Sequence, residues 1–128
     1  MQRLGSGGHW EDPVGYSRVV RGGPHAWVAG STALVDGQLV AEGDAFGQAT
    51  AAFGVALGAL NRVGMQASDV VRTRMYVVDA GLVGDVGRAH AQLFGQIRPA
   101  ATLVVVSGLV DPRLLVEVEV DAYRESVS

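Results

Sequence analysis

From Val116 to Tyr123 apolar and polar residues alternate without a break, with Val116, Val118, Val120 and Ala122 set against Glu117, Glu119, Asp121 and Tyr123. A period of two describes a strand with one apolar and one acidic face, and it fixes the register, because a slip by one residue would bury three carboxylates. Upstream, Pro99 can neither continue a helix nor donate to a sheet ladder, so a strand begins there. The run Thr102–Val106 is β-branched or apolar throughout, which suits a strand buried on both faces. Gly108 and Asp111-Pro112 punctuate a turn between the two. They read as neighbours in one sheet.

The rest of the chain supplies elements to pack on that sheet. Tyr16–Val20 and Ala26–Ala29 are short strand patterns around Arg21-Gly22-Gly23-Pro24, a β-hairpin by composition. An Asp36-Gly37 turn follows. Asp44 is placed to cap a helix whose apolar positions Phe46, Ala49, Phe53, Ala56, Leu57, Leu60 and Val63 recur every three or four residues, with Gly64 closing it. Gly54 and Gly58, four apart, would let this helix lie close to the sheet. In Val70–Val78, Val71, Thr73, Met75 and Val77 point one way and Arg72, Arg74 and Tyr76 the other. Asp79 or Asp85 then opens a second helix reaching Phe94. The order is ββαβαββ, an α+β fold with a mixed sheet and two helices on one face. Residues 1–13 form a loosely held N-terminal arm before a single domain at 14–128. Trp10 within the arm reads either as a lid on the core or as part of a ligand pocket or subunit contact.

Composition narrows the chemistry. At 128 residues and 48% hydrophobic, with no 18-residue apolar run, the chain reads as one soluble domain burying about two-thirds of its unfolded surface. It shows no secretory leader, so a cytoplasmic place is expected. Without cysteine there is no disulfide scaffold, thiolate zinc site or thiol nucleophile. His9, His25 and His90 follow no ligand spacing, and no phosphate- or dinucleotide-binding glycine motif occurs, so no metal or cofactor is expected. A net charge of −3 without a basic stripe disfavours nucleic acid. Carboxylates, arginines, tyrosines and a positioned water remain as tools.

The order and spacing of Gly15-Tyr16-Ser17, Val28-Ala29-Gly30, Asp69-Val70-Val71-Arg72, Val77-Val78-Asp79, Arg98-Pro99-Ala100-Ala101-Thr102 and the Val-Glu-Val-Glu-Val strand resemble the Rid (reactive-intermediate deaminase, YjgF-like) family from about Tyr16 to Tyr123. That resemblance implies a chorismate-mutase-like α+β fold, homotrimers whose sheets face inward, and small-molecule clefts between subunits. It also implies hydrolytic deamination of enamines or imines, in which an arginine grips the substrate carboxylate and a carboxylate on the last strand orients the attacking water. Tyr16, Gly30 and Glu119 match the family's pocket tyrosine, pocket glycine and last-strand glutamate. The arginine position is Ala101, the nearby cysteine position Leu103, the serine position Ala29 and the helix asparagine position Gly87.

The chain therefore resembles the arginine-less members of that family. An alanine cannot hold a carboxylate, and losing one preorganised contact costs on the order of 10²–10³ in rate. Arg98 either binds ligand in its place or serves as a surface arginine. His90 is either a pocket group or a packing residue, and Glu119 either a catalyst or part of the charged sheet face. That face, with Arg72 and Arg74 opposite Glu117, Glu119 and Asp121, is either solvated or a subunit interface, and the resemblance favours the interface. The expected activity is enamine or imine hydrolysis. A trimeric binding protein without turnover and a pathway-specific enzyme of different chemistry are the alternatives, and an endoribonuclease is less favoured.

Overall fold

The computed structural model describes residues 1–125. The alternating segment becomes β8 (Val116–Tyr123) and lies near the middle of a six-stranded sheet, antiparallel to β3 (His25–Ser31) on one side and to β6 (Val70–Val77) on the other. β3 is paired in turn with β2 (Val19–Gly22) and β2 with β1 (Gln2–Leu4). β7 (Ala100–Val105) closes the far edge, parallel to β6. A small hairpin of β4 (Leu34–Val35) and β5 (Gln38–Leu39) stands apart from the sheet. Its Asp36-Gly37 turn has φ of 50° and 79°, the pair of positive values that a two-residue hairpin requires.

Helices α2 (Ala45–Arg62) and α3 (Val83–Phe94) pack together on one face of the sheet, and a four-residue helix α1 (Glu11–Val14) precedes β2. Asp44 caps α2, its Oδ1 accepting from Gly47 N at 3.0 Å, and Gly64 at φ 84° ends it as expected. The inner stripe of α2 is mostly alanine: Ala45, Ala49, Ala52, Ala56 and Ala59 are buried with Phe53 and Leu60. Those small side chains bring the helix close to the sheet, a role the sequence assigns to Gly54 and Gly58. Both glycines face outward, with no atom within 4 Å of where a β-carbon would stand. Gln48 is fully buried on the same stripe, where its amide donates to Arg113 O at 3.1 Å and accepts from Leu115 N at 2.8 Å. It thereby satisfies two backbone groups at the entry to β8.

Four sequence expectations give way here. β7 is not buried on both faces: it is an edge strand, and only Leu103 of its side chains reaches the core. β7 and β8 share a sheet but are not neighbours, since β6 lies between them. The N-terminal arm is not loose, because β1 pairs with β2 and Glu11 is 5% exposed. Tyr16 precedes the first hairpin strand instead of opening it, since α1 ends at Gly15 in the left-handed region, with φ 87°. In β6 a register shift between Val70 and Arg72 turns Val71 outward, while Thr73, Met75 and Val77 face the helices as the alternation predicts.

Candidate active site

On the sheet face away from the helices, Arg74 reaches Asp121 at 3.1 Å and the Tyr76 hydroxyl donates to Glu119. The hydrogen bond to Glu119 holds the Tyr76 phenol above its usual range, with burial adding to it. Arg72 donates to Thr102 Oγ1 at 2.7 Å, and its Nε is buried without a partner among the described residues. The oppositely charged strands thus share one face, as their alternation implies. An open groove of about 600 Å³ runs across it, lined by Tyr16, Trp27, Ala29, Arg74, Glu119 and Asp121 among others.

At one end of this face the β3–β8 ladder is interrupted between Val28 and Ser31. The irregularity brings Gly30 against Glu117: a β-carbon at residue 30 would overlap the Glu117 carboxylate and stand 3.0 Å from its Cδ. Only glycine leaves that carboxylate its place. Burial pushes the Glu117 carboxyl up, the neighbouring Glu119 charge adds to this, and Arg18 opposes it. Arg18 sits beside the same glycine, with Nη1 donating to Gly30 O at 2.6 Å and Nη2 to the Tyr16 hydroxyl at 3.3 Å. Its Nε faces Glu11 Oε2 at 3.6 Å. Burial pushes the Glu11 carboxyl up, but hydrogen bonds from the Ser6 hydroxyl and amide, together with Arg18, outweigh it and hold it below its ordinary range.

The remaining site residues read from sequence lie elsewhere. His90 and Arg98 line a shallower depression of about 350 Å³ with Phe94 and Pro99. His90 Nε2 and Thr73 Oγ1 are 2.8 Å apart, and the imidazole is edge-on to Phe53, so His90 is at once a packing residue and a group facing a cavity. Arg98 adopts φ 58° just beyond α3, its amide donating to Phe94 O and its Nε to Gly95 O. It closes the helix C-terminus. Ala101, exposed on β7, pairs in register with Thr73, the hydrogen-bond partner of His90. Trp10 is half-exposed, edge-on to His9, and lines neither cavity.

The candidates therefore fall into two groups: Tyr16, Gly30 and Glu119 on one side, and His90, Arg98 and Ala101 on the other. β3 and β7 are three strand positions apart, roughly 14 Å at about 4.8 Å per strand. Within one chain the groups do not meet. Glu117 and Arg18, which meet at Gly30, were not singled out as site residues in the sequence. Val-Glu-Val-Glu-Val presents two glutamates with identical periodicity, and only the irregular β3–β8 pairing tells them apart. Among the described residues no cluster of three or more metal-ligating side chains occurs.

Burial alone pulls the His90 imidazole below its ordinary range. Folding therefore favours its neutral form, and the sign follows: its contribution is intact above about pH 6.5 and is lost as the pH falls through the depressed value. The urea midpoint should drop more between pH 7.5 and 5 in the native protein than in His90→Gln; equal drops would refute this.

A profile of the endoribonuclease L-PSP family matches residues 11–124. The chain belongs to this family, also called YjgF/RidA. Within it, an uncharacterized Streptomyces coelicolor protein is 43% identical over 127 residues, covering 99% of this chain and 95% of the other. The crystal structure of a Mycobacterium tuberculosis member of the YjgF/YER057c/UK114 family superposes with a TM-score of 0.87 at 44% identity, covering 96% of this chain and 98% of that one. A Rid-family protein of unknown function from Yersinia pestis superposes at 0.79 with 26% identity, covering 86% and 88%. The YjgF/RidA fold thus accounts for the helix-covered sheet and for the hairpin that carries Tyr16 and Gly30 on either flank. No helix among the described residues is long and apolar enough to cross a membrane.

Proposed function

We propose that this YjgF/RidA-family chain hydrolyses small enamines or imines in the cytoplasm, with the reaction centred on Glu117. The observation that carries the reading is the Glu117 carboxylate lodged against Gly30, half-buried and pushed up in pKa by that burial. A carboxylate poised in this way is a better base near neutral pH than an exposed one. It takes a proton from water as the water oxygen bonds to the imine carbon and the C=N π pair moves to nitrogen, which receives that proton; the C–N bond of the carbinolamine then breaks as its hydroxyl proton passes to the leaving nitrogen, releasing ammonia and leaving a carbonyl. Glu119, the glutamate singled out in the sequence, already accepts from Tyr76, so we assign it to shaping the groove. Tyr16, joined to Arg18, is assigned to ligand contact.

The family resemblance implies a homotrimer, and two features support it. The candidate residues lie in two groups on one chain, so a cleft built from Gly30 and Glu117 of one copy and Ala101 and His90 of the next would bring them together. The outer edge of β7, with Val104 and Val105 about half-exposed, also lacks a strand partner among the described residues. A species of 13.3 kDa in solution would refute this assembly. Ribonuclease action is not proposed despite the family's name, because a groove lined by Glu119 and Asp121 in a chain of net charge −3 disfavours phosphates.

The reading is tested by ammonia release from freshly generated imines, with and without a carboxylate. Turnover above the uncatalysed rate supports it. Binding without ammonia release would favour the second reading, a ligand-binding protein, for which Ala101 is the supporting residue. Ala101→Arg should raise turnover of 2-iminopropanoate by about 10²-fold, the effect of restoring one preorganised contact. An unchanged rate would place Ala101 outside the cleft.

A further inference from the structure

Arg18 was not among the residues singled out by sequence, and its surroundings leave it little freedom to bind a ligand. Its side chain is 11% exposed. A guanidinium has five N–H donors in a fixed fork. Here Nη1 reaches Gly30 O at 2.6 Å, with Ala29 O and Ser31 Oγ each at 3.3 Å. Nη2 reaches the Tyr16 hydroxyl at 3.3 Å, and Nε faces Glu11. Glu11 is in turn clamped by Ser6, whose amide and hydroxyl donate to it at 2.9 and 2.5 Å.

We propose that Arg18 is a positioning residue, held by the Ser6–Glu11 clamp, that fixes the Gly30 carbonyl and the Tyr16 hydroxyl around Glu117. The irregular β3–β8 pairing skips Ala29 and Gly30; Nη1 takes up the Gly30 carbonyl and shares the Ala29 carbonyl with Ser31 Oγ, which donates to it at 2.9 Å. Gly30 is also the residue that makes room for the Glu117 carboxylate, so holding its backbone holds that carboxylate's seat. Arg18 also draws the Glu117 carboxyl down, opposing burial and the Glu119 charge. With Nη1 on backbone carbonyls and Nε facing Glu11, Arg18 holds the protein's own oxygens and does not replace the arginine missing at Ala101. This rests on the proposed site, but its test does not need turnover.

Two variants separate charge from geometry. Arg18→Gln keeps amide donors for the carbonyls and removes the charge; Arg18→Lys keeps the charge and removes the fork. Carbon-13 NMR of the Glu117 carboxyl should show its midpoint rising by about one unit in Arg18→Gln, the low end of an opposite-charge effect, and staying near the native value in Arg18→Lys. In Arg18→Lys the Gly30 carbonyl and Tyr16 ring resonances should shift together. A Glu117 midpoint unmoved by Arg18→Gln, or Gly30 and Tyr16 resonances unmoved by Arg18→Lys, overturns the proposal, and each variant decides by itself if the other fails to fold. A native protein that released no ammonia but showed these shifts would defeat the deaminase reading and leave the role of Arg18 standing.

Discussion

Glu117→Gln should lower ammonia release by about 10²–10⁴-fold, the range expected for loss of a general base, while Glu119→Gln costs less than about tenfold. Both glutamates lie on β8, two residues apart, with the same exposure class and the same alternation. What separates them is company. Glu119 is bonded to Tyr76, whereas Glu117 borders Gly30 and feels Arg18. Glutamine keeps the size of the side chain and cannot take a proton, so folding is unaffected and the loss reads directly as chemistry. Steady-state kinetics on the two variants settles the assignment; a larger loss in Glu119→Gln would return the role to the residue named from sequence.

Phe53→Ala should cost about 3–5 kcal/mol of folding stability. Phe53 is fully buried where α2, α3 and the sheet converge, edge-on to Phe94 with ring centres 5.2 Å apart and to His90 at 5.7 Å. Removing it opens a cavity that two rigid rings cannot collapse into. For a domain of this size that is a loss of roughly 10–20 °C in melting temperature. The next residue gives the contrast. Gly54 is exposed with nothing near its would-be β-carbon, so Gly54→Ala should stabilise by about 0.5–1 kcal/mol through helix propensity and a less free unfolded chain. Calorimetry reads both. A Phe53→Ala protein melting within a few degrees of the native one would show that the helix pair repacks.

Much of this was legible in the sequence because it depends on local periodicity. The alternation of β8, the cap at Asp44, the turn at Asp36-Gly37 and the stop at Gly64 are each fixed by residues within a few positions of one another. What escaped depends on position in the assembled sheet. Thr102–Val106 carries the residues of a buried central strand, yet β7 occupies an edge, and nothing within the run distinguishes the two. Gly54 and Gly58 fall at helical spacing, but their face of α2 points outward and alanines line the other. The groove was half legible: alternation alone set Arg74, Glu119 and Asp121 on one face, while the seating of Glu117 against Gly30 depends on the slipped pairing of β3 and β8. Arg18 lay one residue beyond a recognised motif, and its acceptors are carbonyls, which carry no side-chain signature.

The place of β8 in the sheet also governs how the chain acquires its shape. Among the described residues the half-sheet of β1, β2 and β3 and the pair of β6 and β7 have no ladder to each other; β8 alone joins them. Val28 must therefore find Val120, about ninety residues away, before the two halves share a surface. Closing so long a loop is entropically unfavourable before any contact rewards it, and folding dominated by such contacts takes milliseconds to seconds. Until β8 arrives, the apolar faces of α2 and of both half-sheets stay open to solvent. On the ribosome, the keystone of the sheet emerges after every strand that it joins.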